Sequence, residues 1–148
     1  MSPSSDGLTS SAAAAAGRAP GGAASLRDRT ALADRLVGHG YGTAERPAVV
    51  VASGERWPDG SLRPALEDLR GAGAVLDALR AAGRILTPGA TAATLRAATE
   101  DPVAALHGCD SGRELYENGY PQDVEVAAEI DSSTAVPVLV DGAFQEAP

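Results

Sequence analysis

Lysine is absent from this 148-residue chain, so all twelve of its basic side chains are arginine. Alanine and glycine are abundant, which reads as a coding bias, and a single arginine carries little weight by itself. Cysteine occurs once, at Cys109, which excludes an internal disulfide and fits a reducing compartment. Aromatic side chains are scarce: three tyrosines, one tryptophan and one phenylalanine, with one methionine besides. The core must therefore be built from Ala, Val and Leu, which bury less area per side chain. No apolar run reaches the length of a membrane span, and residues 1–18 lack the basic start of a secretory signal, so the cytoplasm is the expected location. The net charge of -8 argues against nucleic acid or an anionic membrane as partner.

What remains fits one domain with a single modest core. Residues 1–24, rich in Ser, Ala and Gly, read as an arm around a short alanine helix, and residues 25–148 as an α/β domain. Residues 28–37 carry Ala31, Leu32, Leu36 and Val37 on a helical stripe, with Asp28 as N-cap and Gly38 and Gly40 as the stop. Residues 48–52 read as a buried strand. From Leu62, apolar positions at Leu66, Leu69, Gly73, Leu76 and Leu79 predict one buried helix face. Gly71 and Gly73 inside it imply a break, a close helix contact or the approach of another chain. Ile85-Leu86 is either a short strand or the end of a loop. Thr87-Pro88 and Asp101-Pro102 each resemble a cap followed by a first-turn proline, predicting helices over 90–98 and 103–107. Ser111-Gly112-Arg113-Glu114 has the form of a capping box. A short helix follows over 121–129, then an edge strand over 135–140 containing Pro137, a turn at Asp141-Gly142 and a last strand from Ala143. The fold class expected is α/β, a small sheet covered by several short helices. An edge strand and a thin core make self-association into a homo-oligomer plausible.

The densest chemistry lies between Gly54 and Gly73. Glu55, Asp59, Glu67 and Asp68, with Arg56 and Arg63, bracket an expected strand end and helix start. That helix is expected to have Ser61 or Arg63 near its N-cap and Pro64 in its first turn. Open α/β sheets place ligands at such strand ends. Carboxylates of this kind suit a hard cation such as magnesium, and arginine forks and helix N-termini suit phosphate. The plain alternative is a charged surface turn, with Arg63 paired to Glu67 and Trp57 anchored in the core. Arg113 carries two accounts, a surface ion pair or a guanidinium gripping an anion in the first turn of a helix. His107 and Cys109, two residues apart, have poor spacing for a zinc pair or a catalytic dyad.

The segment Glu55-Arg56-Trp57-Pro58-Asp59-Gly60-Ser61-Leu62-Arg63-Pro64, followed by Glu67-Asp68 and Gly71-Ala72-Gly73, resembles the signature of the 2-phosphosulfolactate phosphatase family. Ser111-Gly112-Arg113-Glu114-Leu115 with Gly119, Asp123-Val124, Ala127 and Asp131 agrees with it. So does Val136-Pro137-Val138-Leu139 with Asp141-Gly142-Ala143-Phe144. The chain departs from the pattern near its start: Asp28 stands where the family usually has an asparagine, and an ionised carboxylate would repel an anion that an amide would hold. The family also carries an amino-terminal portion with acidic and arginine motifs that have no counterpart here, so half of its site is expected to be missing.

The resemblance implies magnesium-dependent hydrolysis of the phosphate monoester of 2-phospho-3-sulfolactate, giving 3-sulfolactate and phosphate on a route to coenzyme M or related sulfonates. It makes Glu55, Asp59 and Asp68 candidate metal ligands or catalytic bases. Arg56, Arg63 and Arg113 become candidate clamps for a small anionic phosphomonoester, with Glu67 orienting Arg63. The alternative is a truncated, non-catalytic fragment that binds an anion or a protein.

Overall fold

The computed structural model describes residues 21–98 and 101–148. The alanine helix expected near the start lies outside the described residues. Residues 21–24, placed with the arm by composition, include a short strand, β1 (Gly21–Gly22), and the buried Ala24. Helix α1 (Arg29–Gly38) follows, then a hairpin of β2 (Glu55–Arg56) and β3 (Leu62–Arg63). Helices α2 (Leu66–Ala81), α3 (Pro88–Ala98), α4 (Pro102–Gly108), α5 (Asp110–Glu117) and α6 (Pro121–Ala127) lead to strands β4 (Pro137–Val140) and β5 (Ala143–Glu146). The described residues thus form a small α/β domain with two antiparallel sheets, β2-β3 and β1-β4-β5. No helix among them is long and apolar enough to cross a membrane.

Helix α2 is the axis. It packs against α1 and α3, and it feeds two apolar clusters from adjacent positions. Val75 and Leu79 join Ala24, Leu32, Ala33 and Val136, whereas Ala74 joins Leu26, Leu106, Val124 and Ala128. The stripe expected from spacing is buried only in part: Gly73 and Leu79 are buried, but Leu69 is 38% exposed, and Ala72 and Ala74 off the stripe are buried too. A helix packed on two sides needs small residues where its neighbours come closest. Gly73 marks that point, because a Cβ there would sit 2.6 Å from the Ala93 carbonyl oxygen and 2.7 Å from Ala97 Cβ. Of the three explanations for the paired glycines, the close helix contact is the one seen at Gly73.

Several boundaries move from their expected places. Residues 48–51 form no ladder and only Ala52 makes a bridge; Val49 is 67% exposed and Val51 42%. An apolar run becomes a strand only beside a partner, and the described residues supply none there. Ile85-Leu86 is likewise not a strand. Helix α2 starts at Leu66 behind an extended Ala65, so Ser61, Arg63 and Pro64 are not its cap or first turn. The Pro58-Asp59-Gly60 turn reverses the chain fully, and Leu62–Arg63 pairs back on Glu55–Arg56. Strand β4 is the centre of its sheet rather than an edge. Pro137 is tolerated as its first residue, with its carbonyl still accepting from Ala23 N at 3.0 Å.

Asp28 occupies the cap position of α1 but turns its carboxylate back, accepting from Ser25 N at 2.6 Å and Ser25 Oγ at 3.1 Å. The capping is done instead by Asp131, whose Oδ1 accepts from Thr30 N at 3.1 Å while Oδ2 takes the Arg29 guanidinium at 3.1 Å. Burial would raise the Asp131 carboxyl, but the Thr30 hydrogen bonds and then Arg29 hold it below the ordinary 3.8. The folded carboxylate therefore binds its proton more weakly than the unfolded one. Its contribution to stability is present above pH 3.8 and is lost as pH falls through the lower folded value.

Asp131→Asn, which keeps an oxygen able to accept from Thr30 N but removes the charge beside Arg29, should lower the unfolding free energy at pH 7 by about 0.5 kcal/mol, the scale of a partly exposed ion pair. In urea titrations the gap from the parent should close toward pH 3; a gap independent of pH would contradict the role of that charge. Gly73→Ala, which in an open helix would stabilise by about 1 kcal/mol, should instead destabilise by about 1–3 kcal/mol here. A raised urea midpoint would contradict the close approach of α2 and α3.

Candidate functional site

Cross-strand pairing places Glu55 directly opposite Arg63, so their side chains share one face of the hairpin. Glu55 Oε2 lies 3.0 Å from Arg63 Nη1. The same guanidinium forms a two-pronged bond to Glu114 of α5, with Nη2 to Oε1 at 2.8 Å and Nη1 to Oε2 at 3.2 Å. Ser111, one turn earlier on α5, donates its hydroxyl to Glu55 Oε1 at 3.1 Å. Trp57 closes the arrangement, with Arg63 Cζ 4.9 Å from its ring centroid. The Arg63 side chain is only 15% exposed. Its pKa is raised above the ordinary value, first by the bond to Glu114 and then, against burial, by the charge of Glu55. Trp57, 49% exposed, is a platform for Arg63 and not a core anchor.

The hairpin is tied to α2 beneath it. Gly54 has φ +69, a conformation that side chains disfavour, and a Cβ there would meet the Leu62 side chain at 2.8 Å. In that conformation its amide donates to Asp68 Oδ2 at 2.6 Å. Asp68 and its neighbour Glu67 are each 4% exposed in the first turn of α2, where negative charge faces free amides. Glu67 does not orient Arg63; it lies against Cys109. Burial first, with the Glu67 charge added, pushes the Cys109 thiol up, which keeps it protonated and unreactive. His107 bonds Tyr116 through Nδ1 at 2.8 Å.

Three of the expected residues point elsewhere. Arg56 is exposed and donates to the Gly60 carbonyl at 2.8 Å. Asp59 is exposed at the hairpin tip, accepting from Ser61 Oγ at 2.6 Å and Ser61 N at 2.9 Å, bonds that lower its pKa. Arg113 is exposed, paired with Asp110 and donating to the Gly108 carbonyl at 2.9 Å, which matches its surface ion-pair account. Among the described residues no three His, Cys, Asp or Glu side chains are grouped to hold a metal ion. Glu55, Asp59 and Asp68 therefore do not form a shared three-carboxylate cage.

Two participants, Ser111 and Glu114, were read in the sequence as a capping box and a family motif but not as partners of Glu55 and Arg63. Read as a capping box they would have been turned inward on their own helix. Cys109 fills the cap instead, its sulfur accepting from Gly112 N at 3.3 Å. That releases the i and i+3 side chains toward the hairpin. Their separation of three on one helix face was the available signal.

The residues converging here come from separate segments that recur together in one family. Residues 9–142 match the sequence profile described as 2-phosphosulpholactate phosphatase. The chain belongs to that family. The family name describes a phosphatase, and a phosphatase of this kind takes a small phosphate ester.

Arg63 is held between two carboxylates, and an anion making a two-pronged bond to its Nη1–Nη2 edge would take the place of Glu114. Glu114, half exposed at 52%, is the easier to move. Glu114→Gln should tighten sulfate binding about threefold, the scale of one partly exposed ion pair. The lone tryptophan, Trp57, stacks on Arg63, so its fluorescence should report the binding. Arg63→Gln should abolish the response. Unchanged affinity in Glu114→Gln would show that the carboxylate does not compete.

Proposed function

We propose that this chain belongs to a hydrolase acting on the phosphate monoester of 2-phospho-3-sulfolactate, with water as the second substrate and 3-sulfolactate and inorganic phosphate as products. The P–O bond to the sulfolactate oxygen breaks and a new P–O bond forms to the water oxygen. What supports the reading is the contact between two distant motif segments: Arg63 with Glu114, 51 residues apart, and Glu55 with Ser111, 56 apart.

In this proposal Arg63 is the anion clamp, exchanging Glu114 for an oxygen of the substrate, and a guanidinium fork suits that exchange. Glu55, the carboxylate that stays beside Arg63 when Glu114 yields, is the candidate base, with Ser111 holding its second oxygen. Asp68 positions the hairpin through Gly54. Arg56 and Asp59 act by shaping the turn, and Arg113 stays outside the site. Magnesium, which the resemblance implies, belongs to the proposal as an ion to be tested. It is commonly held by one or two carboxylates with phosphate oxygens and water. The acids among the described residues do not make a protein cage for it, and no step is routed through it.

A second reading has its own observation: the single guanidinium at the centre is already matched by two carboxylates. A chain that exchanged only Glu114 for the anion would hold it on one guanidinium without turning it over. Phosphate release from 2-phospho-3-sulfolactate, measured with and without magnesium, separates the two. The hydrolase reading expects release by the parent chain and a loss of at least about a hundredfold in Arg63→Gln. No release from a folded parent chain that still shows the Trp57 response to sulfate would support the second reading. Near-normal turnover in Arg63→Gln would overturn the site assignment.

A further inference from the structure

A cavity of about 300 Å³ lies between α1, the loop that follows it, and the sheet β1-β4-β5. None of its lining residues belongs to the hairpin β2-β3 or to α5, so it is separate from the Arg63 site. Its apolar wall includes Leu32 and Leu36 from α1 and Val138 from β4. Among the described residues its ionisable side chains are Arg35, His39, Tyr41 and Arg46, with no Asp or Glu lining it. That is an uneven choice for a chain of net charge -8.

Like Arg56 and Arg84, the two arginines of the cavity bond main-chain oxygens, whereas five other arginines have acidic partners. Arg27, Arg29, Arg63, Arg80 and Arg113 each pair with an acidic side chain. Arg35 bonds the main-chain oxygen of Pro148 at 3.1 Å, and Arg46 bonds that of His39 at 2.7 Å. Arg46 also stacks over Tyr41, with Cζ 4.4 Å from the ring centroid. It is held in place by its own turn: Gly42 N donates to Arg46 O at 2.8 Å and Arg46 N to Thr43 Oγ1 at 3.1 Å. A fixed guanidinium beside an apolar recess is prepared for an anion that carries an apolar body.

We propose that this cavity binds a small amphipathic carboxylate, its apolar body against Leu32, Leu36 and Val138 and its carboxylate on Arg46 and Arg35. A medium-chain alkyl carboxylate has the right chemistry, and the volume is at the small end of ligand pockets. A polyanionic ester with no apolar body has nothing to place against the leucines, so this ligand is distinct from the substrate of the Arg63 site.

Octanoate is the probe, with octanol as its uncharged control, followed through the side-chain methyl resonances of the full chain. The expected result is saturable shifts at Leu32, Leu36 and Val138 with octanoate, and octanoate affinity about tenfold weaker in Arg46→Gln, the loss of one charged hydrogen bond. Octanol binding should be the same in both proteins, which a general loosening of the fold would not leave unchanged. Arg35→Gln, on α1, is the second variant should Arg46→Gln not fold, and it too should weaken octanoate alone. Equal affinity for octanoate and octanol in the parent chain, equal octanoate affinity in a folded variant, or shifts confined to methyls outside the recess would overturn the proposal. The Trp57 fluorescence response to sulfate should be unaffected throughout, which separates failure here from failure at the Arg63 site.

Discussion

Helix α2 has to be thin in its middle, and that constraint organises the fold. With Ala72, Gly73 and Ala74 buried and the Ala93 carbonyl at the surface of Gly73, α3 comes close to its backbone. The side of the helix that α1 covers then carries Val75 and Leu79, while Ala74 serves the cluster under α4 and α6. A chain with few aromatic residues gains packing energy by bringing backbones close, because small side chains bury little area individually. The first turn of the same helix holds Glu67 and Asp68 out of water, one facing Cys109 and one gripping the Gly54 amide. The central helix thereby fixes where the hairpin stands.

From that placement the site follows. The hairpin presents Glu55 and Arg63 on one face, and α5 brings Ser111 and Glu114 to meet them. The balance of charge at this point is acidic, with one guanidinium between two carboxylates. In the proposed reading, an anionic ester would gain the two-pronged edge of the guanidinium when Glu114 yields it. Glu114 is placed to yield, being the more exposed partner and standing on a separate element from the hairpin. The same ion pair that joins α5 to the hairpin at rest would be traded for the substrate's oxygens on binding.

Local signals carried much of this in the sequence. The proline-led starts of α3 and α4, the Asp101 cap, the Asp141-Gly142 hairpin and the span of α1 all depend on neighbours along the chain, and all are seen. What depended on distant partners was not legible. Asp28 had the residue type of a cap, but Asp131, 101 residues from Thr30, supplies it. Residues 48–52 had strand composition without a partner to make a ladder. The leucine stripe of α2 assumed one buried face, where packing on two sides favoured its small residues. At the site, Glu55 and Arg63 were visible as charges near a turn. Arg56 and Asp59 were equally visible, and only the pairing register separates the inward pair from the outward one. Glu114 was hidden by a capping pattern that Cys109 fulfilled instead.

The central claim is that Arg63 exchanges a protein carboxylate for an oxygen of the ligand. A crystal structure of the chain grown with 3-sulfolactate and phosphate tests it most directly. The account predicts an anion bonded to the Arg63 guanidinium over Trp57, with the Glu114 side chain turned away from it. Arg63 still clasped by both Glu55 and Glu114, with ordered anion bound at some other place, would contradict it.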